Sequence, residues 1–318
     1  MEVTFELPNL SDTLRRLRVP ALILAAVVTI AIVVGGPAQH FLDALGRVVS
    51  ADPRWAIAAA VFEALSFAGY IALLWHVAGS ERFGLRESYR TTMAGAAATR
   101  LLPTAGAGGA ALTLWVLRKA GHSASRTLLT FLVLLYSVFL VAILGAGLAA
   151  ADHGALALVP AALAGGALLV AAVLTWRPIG RTRTLSLAVR DAGRIVRRPA
   201  PHLLGALAWW GFDCAVLWAT FHAVGGAGGL DTGVLVLGYF LGQVANTVPL
   251  PGAASSGMIG VFIAFGVAPE MALAAVLAYR AIAIWLPAPA GAHALGGLRR
   301  TVAGWVPADP HAPMPLAA

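Results

Sequence analysis

Hydrophobic residues in this chain are collected into long runs separated by short polar segments, and they do not alternate with polar positions. A run of roughly 20 apolar residues is long enough to cross the hydrocarbon of a bilayer as an α-helix. Six segments approach or exceed this length and are predicted to be spanning helices: about 19–37, 55–77, 127–150, 155–176, 203–224 and 271–295. The pattern predicts an all-α polytopic membrane protein.

Two further apolar segments, 91–117 and 232–268, are interrupted by proline and glycine. The first contains "ATRLLPTAGAGG" and the second contains "NTVPLPGAASSGM", within a stretch of 38 residues that has no charge. Irregular backbone at membrane depth is tolerated only when it is buried in protein or lines a wet cavity. We expect each segment to form a re-entrant, broken helical hairpin. For 232–268, two full crossings are the alternative, because they return the chain to the same side.

The residues at both interruptions are of the kind that end one helix and begin another. Pro103 removes a backbone donor, and Gly106 permits a tight reversal. In the second segment, Pro249 and Pro251 are predicted to end the first helix, and Gly252 to permit the reversal. Each following helix would begin inside the membrane, where its free N–H groups favour an anion.

Polar side chains surround the second interruption. Ser255 and Ser256 are predicted to cap a helix that starts near Gly257. Asn246 follows Gln243 by about one helical turn. These two amides are predicted either to face one cavity or to join neighbouring helices by hydrogen bonds.

The basic residues between the apolar segments predict the topology. With both termini in the cytoplasm, cytoplasmic segments hold 18 Lys and Arg residues, whereas external segments hold only Arg47 and Arg54. This is a strong positive-inside asymmetry, and it accounts for the net charge of +8 without a nucleic-acid partner. The predicted cytoplasmic segments are 1–18, 78–90, 118–126, 177–202 and 299–318, and the external ones are 38–54, 151–153, 225–231 and 268–270.

The order of the elements predicts an internal symmetry. The series span, span, broken pair, span occurs twice, first from the cytoplasmic side and then from the external side. This order is typical of inverted-topology repeats in transporters. We predict one transmembrane domain over 19–298, with repeat 1 at about 19–150 and repeat 2 at about 155–298. A cytoplasmic segment, 1–18, precedes it, and a disordered cytoplasmic tail, 299–318, follows.

The composition supports a membrane protein and limits its chemistry. Hydrophobic residues make up 59% and charged residues 11% of the chain, against roughly 25% charged residues in soluble domains. Arg15, Arg16 and Arg18 precede the first apolar run, and no A-x-A site closes it, so we expect a retained signal-anchor helix. Cys214 is the only cysteine, which excludes an internal disulfide and a cysteine-based metal cluster.

Ionisable residues within predicted spans are site candidates by default. We single out six in the spans and interrupted segments: Glu63, His76, Arg100, Asp213, His222 and Arg280. Glu63 and Asp213 occupy equivalent positions in the two predicted repeats. The arginines and carboxylates either form structural ion pairs, or Arg100 and Arg280 bind an anionic headgroup while the carboxylates balance charge or carry protons. The two histidines lie near span ends and are predicted to be interfacial.

Enzyme activity is not indicated. The G-x-S-G motif of rhomboid-type proteases fails, because Ala254 stands two residues before Ser256. His293 is predicted near the cytoplasmic end of its helix, far from a serine at mid-membrane. No H-E-x-x-H or clustered histidine pattern occurs, so neither a metal nor another cofactor is expected.

Three stretches resemble a known family. They are "ATRLLPTAGAGGAALTLWVLRKAG", "GYFLGQVANTVPLPGAASSGMIGVFIAFGV" and "AVLAYRAIAIWLPAPAG". Together they resemble the transmembrane region of bacterial lysylphosphatidylglycerol synthases and the standalone flippase-like membrane proteins related to them. The resemblance covers about residues 15 to 300, and it implies a lipid-translocating module of the cytoplasmic membrane with two re-entrant elements.

The chain departs from the family pattern in two places. Members commonly show P-G-G-x-G-x-x-E after the double proline, whereas this chain has "PGAASSGM" and lacks the glutamate. After the first motif's proline the family usually has polar or charged residues, whereas this chain has "TAGA". Only a Pro/Ala-rich tail follows Arg300, so we expect no aminoacyltransferase domain.

The resemblance and the residues together predict a lipid translocase. The headgroup would lie where the two broken helices meet, contacted by Arg100, Arg280 and backbone N–H groups near Gly106 and Gly257. Membrane lipids are the expected partners, with a homo-oligomer or an envelope enzyme as possible protein partners. A non-transporting scaffold or partner subunit is the second hypothesis, and a small-solute transporter is the third.

Overall fold

The computed structural model describes residues 38–101, 107–176, 183–197, 202–226, 230–245 and 252–305. Within these ranges the protein is built from twelve α-helices, with no β-strand. They are α1 (Ala38–Val49), α2 (Pro53–Ala78), α3 (Leu85–Leu101), α4 (Ala107–Lys119), α5 (Ala124–Ala149), α6 (Ala155–Trp176), α7 (Arg183–Arg197), α8 (His202–Ala223), α9 (Thr232–Val244), α10 (Ala253–Ala264), α11 (Pro269–Trp285) and α12 (Pro287–Ala303).

Several of these helices are long and apolar enough to cross a membrane. The described residues contain five such stretches: Pro53–Ala78, Ala124–Ala149, Ala155–Leu174, Leu203–Ala223 and Pro269–Ala303. They coincide with five of the six predicted spans, and the sixth, 19–37, lies outside the described residues. The chain is therefore an all-α, multi-pass membrane protein, as its hydropathy predicts.

The last candidate span differs from its predicted form. It consists of two consecutive helices, α11 and α12, separated at Leu286. Pro287 has no N–H to donate to the preceding turn, so the helix is interrupted there. Leu286 keeps helical dihedrals (φ −65°, ψ −48°), and the chain does not reverse. Because α12 continues to Ala303, the first five residues of the predicted tail are helical, and 306–318 lie outside the described residues.

Two amphipathic helices, α1 and α7, lie where the hydropathy pattern predicted only connecting segments. In α7, Leu185, Ala188, Val189 and Ala192 follow the i, i+3, i+4, i+7 spacing of one helix face, and the helix packs on α5 and α6. In α1, Ala44 is buried, and the helix packs on α11. Both were missed because their hydrophobic runs are far too short to span.

Glycines allow the closest helix contacts in the bundle. At the crossing of α2 and α8, a Cβ on Gly69 would lie 2.7 Å from the carbonyl oxygen of Gly205. Where α3 packs on α12, a Cβ on Gly291 would lie 2.8 Å from the carbonyl oxygen of Met93. Small residues at such positions let two backbones approach, which is how helices associate within a bilayer.

The helices on either side of each interruption pack against each other. Gly95 of α3 faces Gly109 of α4, and Gly242 of α9 faces Met258 of α10. Three of these four helices are short: α4 and α9 have 13 residues each, and α10 has 12. All three are shorter than the roughly 20 residues that cross the hydrocarbon.

Candidate functional site

A buried cluster of polar side chains joins α8, α9 and α11 inside the bundle. The Asp213 carboxylate accepts hydrogen bonds from two phenols, those of Tyr239 on α9 and Tyr279 on α11. The Tyr279 hydroxyl lies 3.2 Å from Oδ1 and 3.1 Å from Oδ2 of Asp213. The Gln243 side-chain amide in turn donates to the Tyr279 hydroxyl at 3.2 Å.

This cluster is deeply buried and distant from both ends of α8. Asp213, Tyr239 and Tyr279 are exposed by only 3%, 0% and 1% of their surface. Asp213 is separated from both ends of α8 by ten or eleven residues, which is about 15 Å of helix. A carboxyl group placed there is costly unless hydrogen bonds or a counter-charge stabilise it. The two phenols supply the hydrogen bonds.

Arg280 follows Tyr279 directly on α11, and its Cζ atom lies 5.5 Å from the centroid of the Tyr279 ring. Two of its guanidinium nitrogens, Nε and Nη2, are buried and have no hydrogen-bond partner among the described residues. The structure contains no salt bridge from Arg280 or Asp213 to any described residue. Arg280 and Asp213 are therefore not paired with each other, and the wider prediction of ion pairs among the intramembrane arginines and carboxylates stays a prediction.

Glu63, the other predicted intramembrane carboxylate, is buried on α2 with 1% of its surface exposed. One turn further on, the Ser66 hydroxyl donates to the Trp209 carbonyl oxygen of α8 at 2.9 Å. The structure thus places Glu63 near the tight α2–α8 crossing, on a different helix from every member of the Asp213 cluster. Its predicted role in charge balance or proton transfer stays a prediction.

The start of α10 differs from its predicted form. The helix begins at Ala253, and its N-cap is Gly252, which has φ +80° and provides no side-chain cap. The Ser256 hydroxyl donates back to the Gly252 carbonyl oxygen at 2.8 Å, as serine inside a helix often does. The predicted capping role of Ser255 and Ser256 near Gly257 is therefore wrong. Gly257 instead lies within α10, where a Cβ would come within 2.6 Å of Ala245 Cβ.

The remaining predicted site residues are only partly covered by the structure. Arg100 lies in the last turn of α3, and its side chain is outside the described part. The residues of the two interruptions themselves are also outside it: Pro103, Gly106, Asn246, Pro249 and Pro251.

The two predicted histidines lie in the last turns of their helices. His76 is in α2, and its Nδ1 lies 2.6 Å from the Ala72 carbonyl oxygen. His222 is in α8, where its ring lies 4.4 Å from that of Trp55 and 4.3 Å from that of Trp218. His222 follows Asp213 by nine residues on α8, which is about 13 Å along the helix, so its ring is remote from the candidate site.

Comparison with known proteins agrees with the family resemblance of the three sequence stretches. No curated protein matches the chain in a sequence search. A family model described as the lysylphosphatidylglycerol synthase TM region matches residues 5–291, which is most of the chain. This protein therefore belongs to the lysylphosphatidylglycerol synthase transmembrane-region family.

Proposed function

We propose that this protein moves a phospholipid, or another amphipathic lipid with an anionic or zwitterionic headgroup, between the leaflets of the bacterial cytoplasmic membrane. The observation that carries the proposal is Arg280, whose Nε and Nη2 atoms are buried without a partner among the described residues. A guanidinium fork matches the geometry of a phosphate. Arg280 lies eleven residues into α11, at a depth of about 16 Å, so its ligand is a phosphate that enters the bundle.

The contacts between helices support the predicted pair of inverted repeats. The first half's α3 packs on α12 of the second half, and the second half's α9 packs on α5 of the first. Likewise α1 packs on α11, and α7 packs on α5. In the predicted repeats, α1, α3 and α5 of the first half correspond to α7, α9 and α11–α12 of the second. Exchanging the halves therefore turns the α3–α12 contact into the α9–α5 contact, and the α1–α11 contact into the α7–α5 contact. Such an exchange is expected of an inverted-topology repeat, in which one repeat rocks against the other.

The short helices support re-entrant hairpins. At 1.5 Å per residue, the 13 residues of α9 and the 12 of α10 extend only about 20 Å and 18 Å. The hydrocarbon core is about 30 Å thick. The α9–α10 hairpin would therefore turn inside the membrane.

Contacts between loops support the predicted sidedness. At one end, the Asp52 N–H donates to the Ala223 carbonyl oxygen at 2.9 Å, so α2 starts where α8 finishes. At another place, Ser80 Oγ lies 3.2 Å from His122 Nε2, which brings the α2–α3 and α4–α5 connections together. The distribution of basic residues assigns the first pair to the external side and the second to the cytoplasm, with both termini cytoplasmic.

The decisive experiment is a leaflet-resolved lipid assay in reconstituted vesicles. A panel of anionic, zwitterionic and neutral lipids is compared for wild type, Arg280→Ala and the matched control Arg299→Ala, whose arginine is exposed on α12. We expect wild type and the control to translocate at least one phospholipid. We expect Arg280→Ala to be about tenfold slower or worse, the loss that accompanies a missing charged hydrogen bond. If wild type never exceeds protein-free vesicles across the panel, the proposal is wrong.

A second candidate function is a non-transporting scaffold or partner subunit of an envelope lipid enzyme. It is favoured by the absence of the family's motif glutamate after Pro251 and of polar residues after Pro103. Co-purification of a stoichiometric partner together with no lipid translocation supports it. A small-solute transporter, the third candidate, would instead show uptake of a water-soluble substrate without lipid movement.

A further inference from the structure

The arginine positions of α7 lie on one side of the helix and form what we call the basic stripe: Arg183, Arg190, Arg194 and Arg197. Their intervals of seven, four and three residues place them within an arc of about 60°, at about 100° per residue. Ala188 and Ala192, both buried, lie on the opposite side. Asp191 is the only acidic residue of α7, so the helix has a net charge of +3.

The other amphipathic helix, α1, has a different outer surface. It contains one aspartate and one arginine, so with its histidine neutral it has no net charge. Its exposed residues include Leu42, Leu45 and Val49, which follow the i, i+3, i+7 spacing of one face. The outer surface of α1 is thus partly apolar, whereas that of α7 is basic. The basic stripe is therefore a specific feature of α7.

The ion pair with Arg126 defines the level of α7 in the bilayer. Arg126 is the third residue of the candidate span Ala124–Ala149. The 26 residues of this helix extend about 39 Å, and the hydrocarbon core is only about 30 Å thick. The first turn of α5 therefore reaches the layer of lipid headgroups. Because Asp191 accepts from Nε and Nη2 of Arg126, α7 lies at that same level.

Arg194 combines exposure with hydrogen-bond donors that the protein does not use. Its side chain is 69% exposed. Nη1 donates to Asp191 at 2.8 Å, but no hydrogen bond from its Nε or Nη2 reaches a described residue. Asp191 accepts from both Arg194 and Arg126, so these three side chains together retain one positive charge. A phosphate diester supplies the negative charge and the paired oxygen acceptors that such a guanidinium binds.

We propose that the basic stripe of α7 binds the phosphates of anionic phospholipids in the adjoining leaflet, as resident lipids that are not transported. Basic side chains at the level of the headgroups attract anionic lipids, and amphipathic helices with arginine on the polar face lie in this layer. The distribution of basic residues assigns this end of the bundle to the cytoplasmic leaflet. Arg280 lies eleven residues inside α11, so the two lipid sites are separate and this inference goes beyond the proposed function.

Native mass spectrometry of the full 318-residue chain, titrated with phosphatidylglycerol or phosphatidylcholine in detergent, measures this binding. We expect wild type to prefer phosphatidylglycerol. Arg194→Gln should weaken its binding about fivefold, the contribution of one basic residue at a membrane surface. Arg194→Lys keeps the charge and should recover most of the affinity. Arg299→Gln, the matched control, removes an exposed arginine from α12 and should change little.

Two results of this titration overturn the inference. Equal losses in Arg194→Gln and Arg299→Gln would show only a diffuse attraction of anionic lipid to positive charge. Failure of Arg194→Lys to recover binding would show that the loss comes from the broken contact with Asp191. Displacement of phosphatidylglycerol by inorganic phosphate also overturns it, because the ligand would then be a free anion.

A fluorescent label on α7 locates the lipid in reconstituted vesicles. Cys214 is buried, so an environment-sensitive maleimide labels Val196→Cys, at an exposed position. Its emission should shift to the blue when phosphatidylglycerol replaces phosphatidylcholine, and Arg194→Gln should reduce that shift. A label on Leu42→Cys of α1 should not respond to lipid charge. Equal responses of the two labels, or none on α7, contradict the inference.

Lipid translocation by the same samples separates this inference from the proposed function. Binding of phosphatidylglycerol that depends on Arg194, without translocation of any lipid, supports the resident site and counts against the proposed function. Translocation without such binding overturns the resident site and leaves the proposed function standing.

Discussion

Arg126 and Asp191 form a two-pronged ion pair that joins the start of α5 to α7. Arg126 Nε lies 2.6 Å from Asp191 Oδ2, and its Nη2 lies 2.9 Å from Oδ1. Arg194 also donates to Oδ1 at 2.8 Å. The amphipathic helix α7 is thus attached to the bundle by a charged contact in addition to its buried apolar face.

Breaking this pair should loosen α7 without unfolding the bundle. Arg126 is 41% exposed and Asp191 19% exposed, so the pair is worth about 1 kcal/mol or less, even with its favourable geometry. We expect Asp191→Asn to increase the rate of proteolytic cleavage in α7 and to lower the melting temperature slightly. Arg299→Ala serves as the control, and equal cleavage rates in the two variants would contradict the prediction.

The crossing of α2 and α8 should tolerate no added methyl group. In Gly205→Ala, the new Cβ would lie 2.8 Å from the Gly69 carbonyl oxygen, so the two helices must separate. We expect a loss of about 1–3 kcal/mol in the free energy of unfolding, the usual cost of overpacking. Gly211→Ala is the matched control on the same helix, because its Cβ would meet nothing within 4 Å. Thermal unfolding of both variants in detergent checks this prediction, which equal stabilities would refute.

His122 should make stability depend on pH. It lies between α4 and α5, outside the candidate spans, and burial lowers its pKa below the usual 6.5, although a hydrogen bond with the Ala78 backbone partly opposes the shift. Above the unfolded pKa both states are neutral, and the full stability is present. As pH falls from about 6.5 through the lower folded pKa, the unfolded state binds the proton first, so stability is lost. Stability curves of wild type and His122→Gln against pH measure this effect. The variant should lose less stability over this range, and parallel curves would exclude the effect.

Arg280→Met should stabilise the protein while it impairs lipid translocation. The guanidinium nitrogens Nε and Nη2 are buried without partners among the described residues. Their desolvation lowers the free energy of unfolding, and an apolar side chain avoids this penalty. We expect a gain of about 1–3 kcal/mol, seen as a higher melting temperature in detergent. Arg126→Met is the contrasting variant, since it removes a paired arginine and should lower stability. A lower melting temperature for Arg280→Met would show that its guanidinium is satisfied in the native state.

The sequence predicted the spanning helices well, because run length and the absence of charge determine which segments lipid accepts. It predicted α1 and α7 poorly, since a short helix with one apolar face resembles a polar loop when only span length is considered. The 3.6-residue period around Ala188 and Ala192 was the signal that could have found α7. Ser256 was assigned wrongly because serine can either cap a helix or bond back to a carbonyl oxygen, and residue type does not decide between these roles.

The candidate site was predictable only in part. Asp213 and Arg280 could be found because ionisable residues are rare in apolar runs. Tyr239 and Tyr279 could not be found in the same way, since tyrosine is an ordinary residue in membrane helices. Their contacts with Asp213 bridge 26 and 66 residues of sequence, and they depend on how α8, α9 and α11 pack. Tyr279 did stand beside Arg280 in the family motif, which was the available signal.

The attachment of α6 illustrates a wider property of the bundle. Leu163, Leu169 and Val170 of α6 are all more than half exposed. Lipid hydrocarbon contacts these side chains whether or not α6 is packed on the bundle, so the hydrophobic effect does not hold α6 in place. Where α6 meets α5, a Cβ on Gly147 would lie 2.6 Å from the Ala157 carbonyl oxygen. The packing of α6 on α5 consequently depends on close steric complementarity, and a single methyl group added at Gly147 would force the two helices apart.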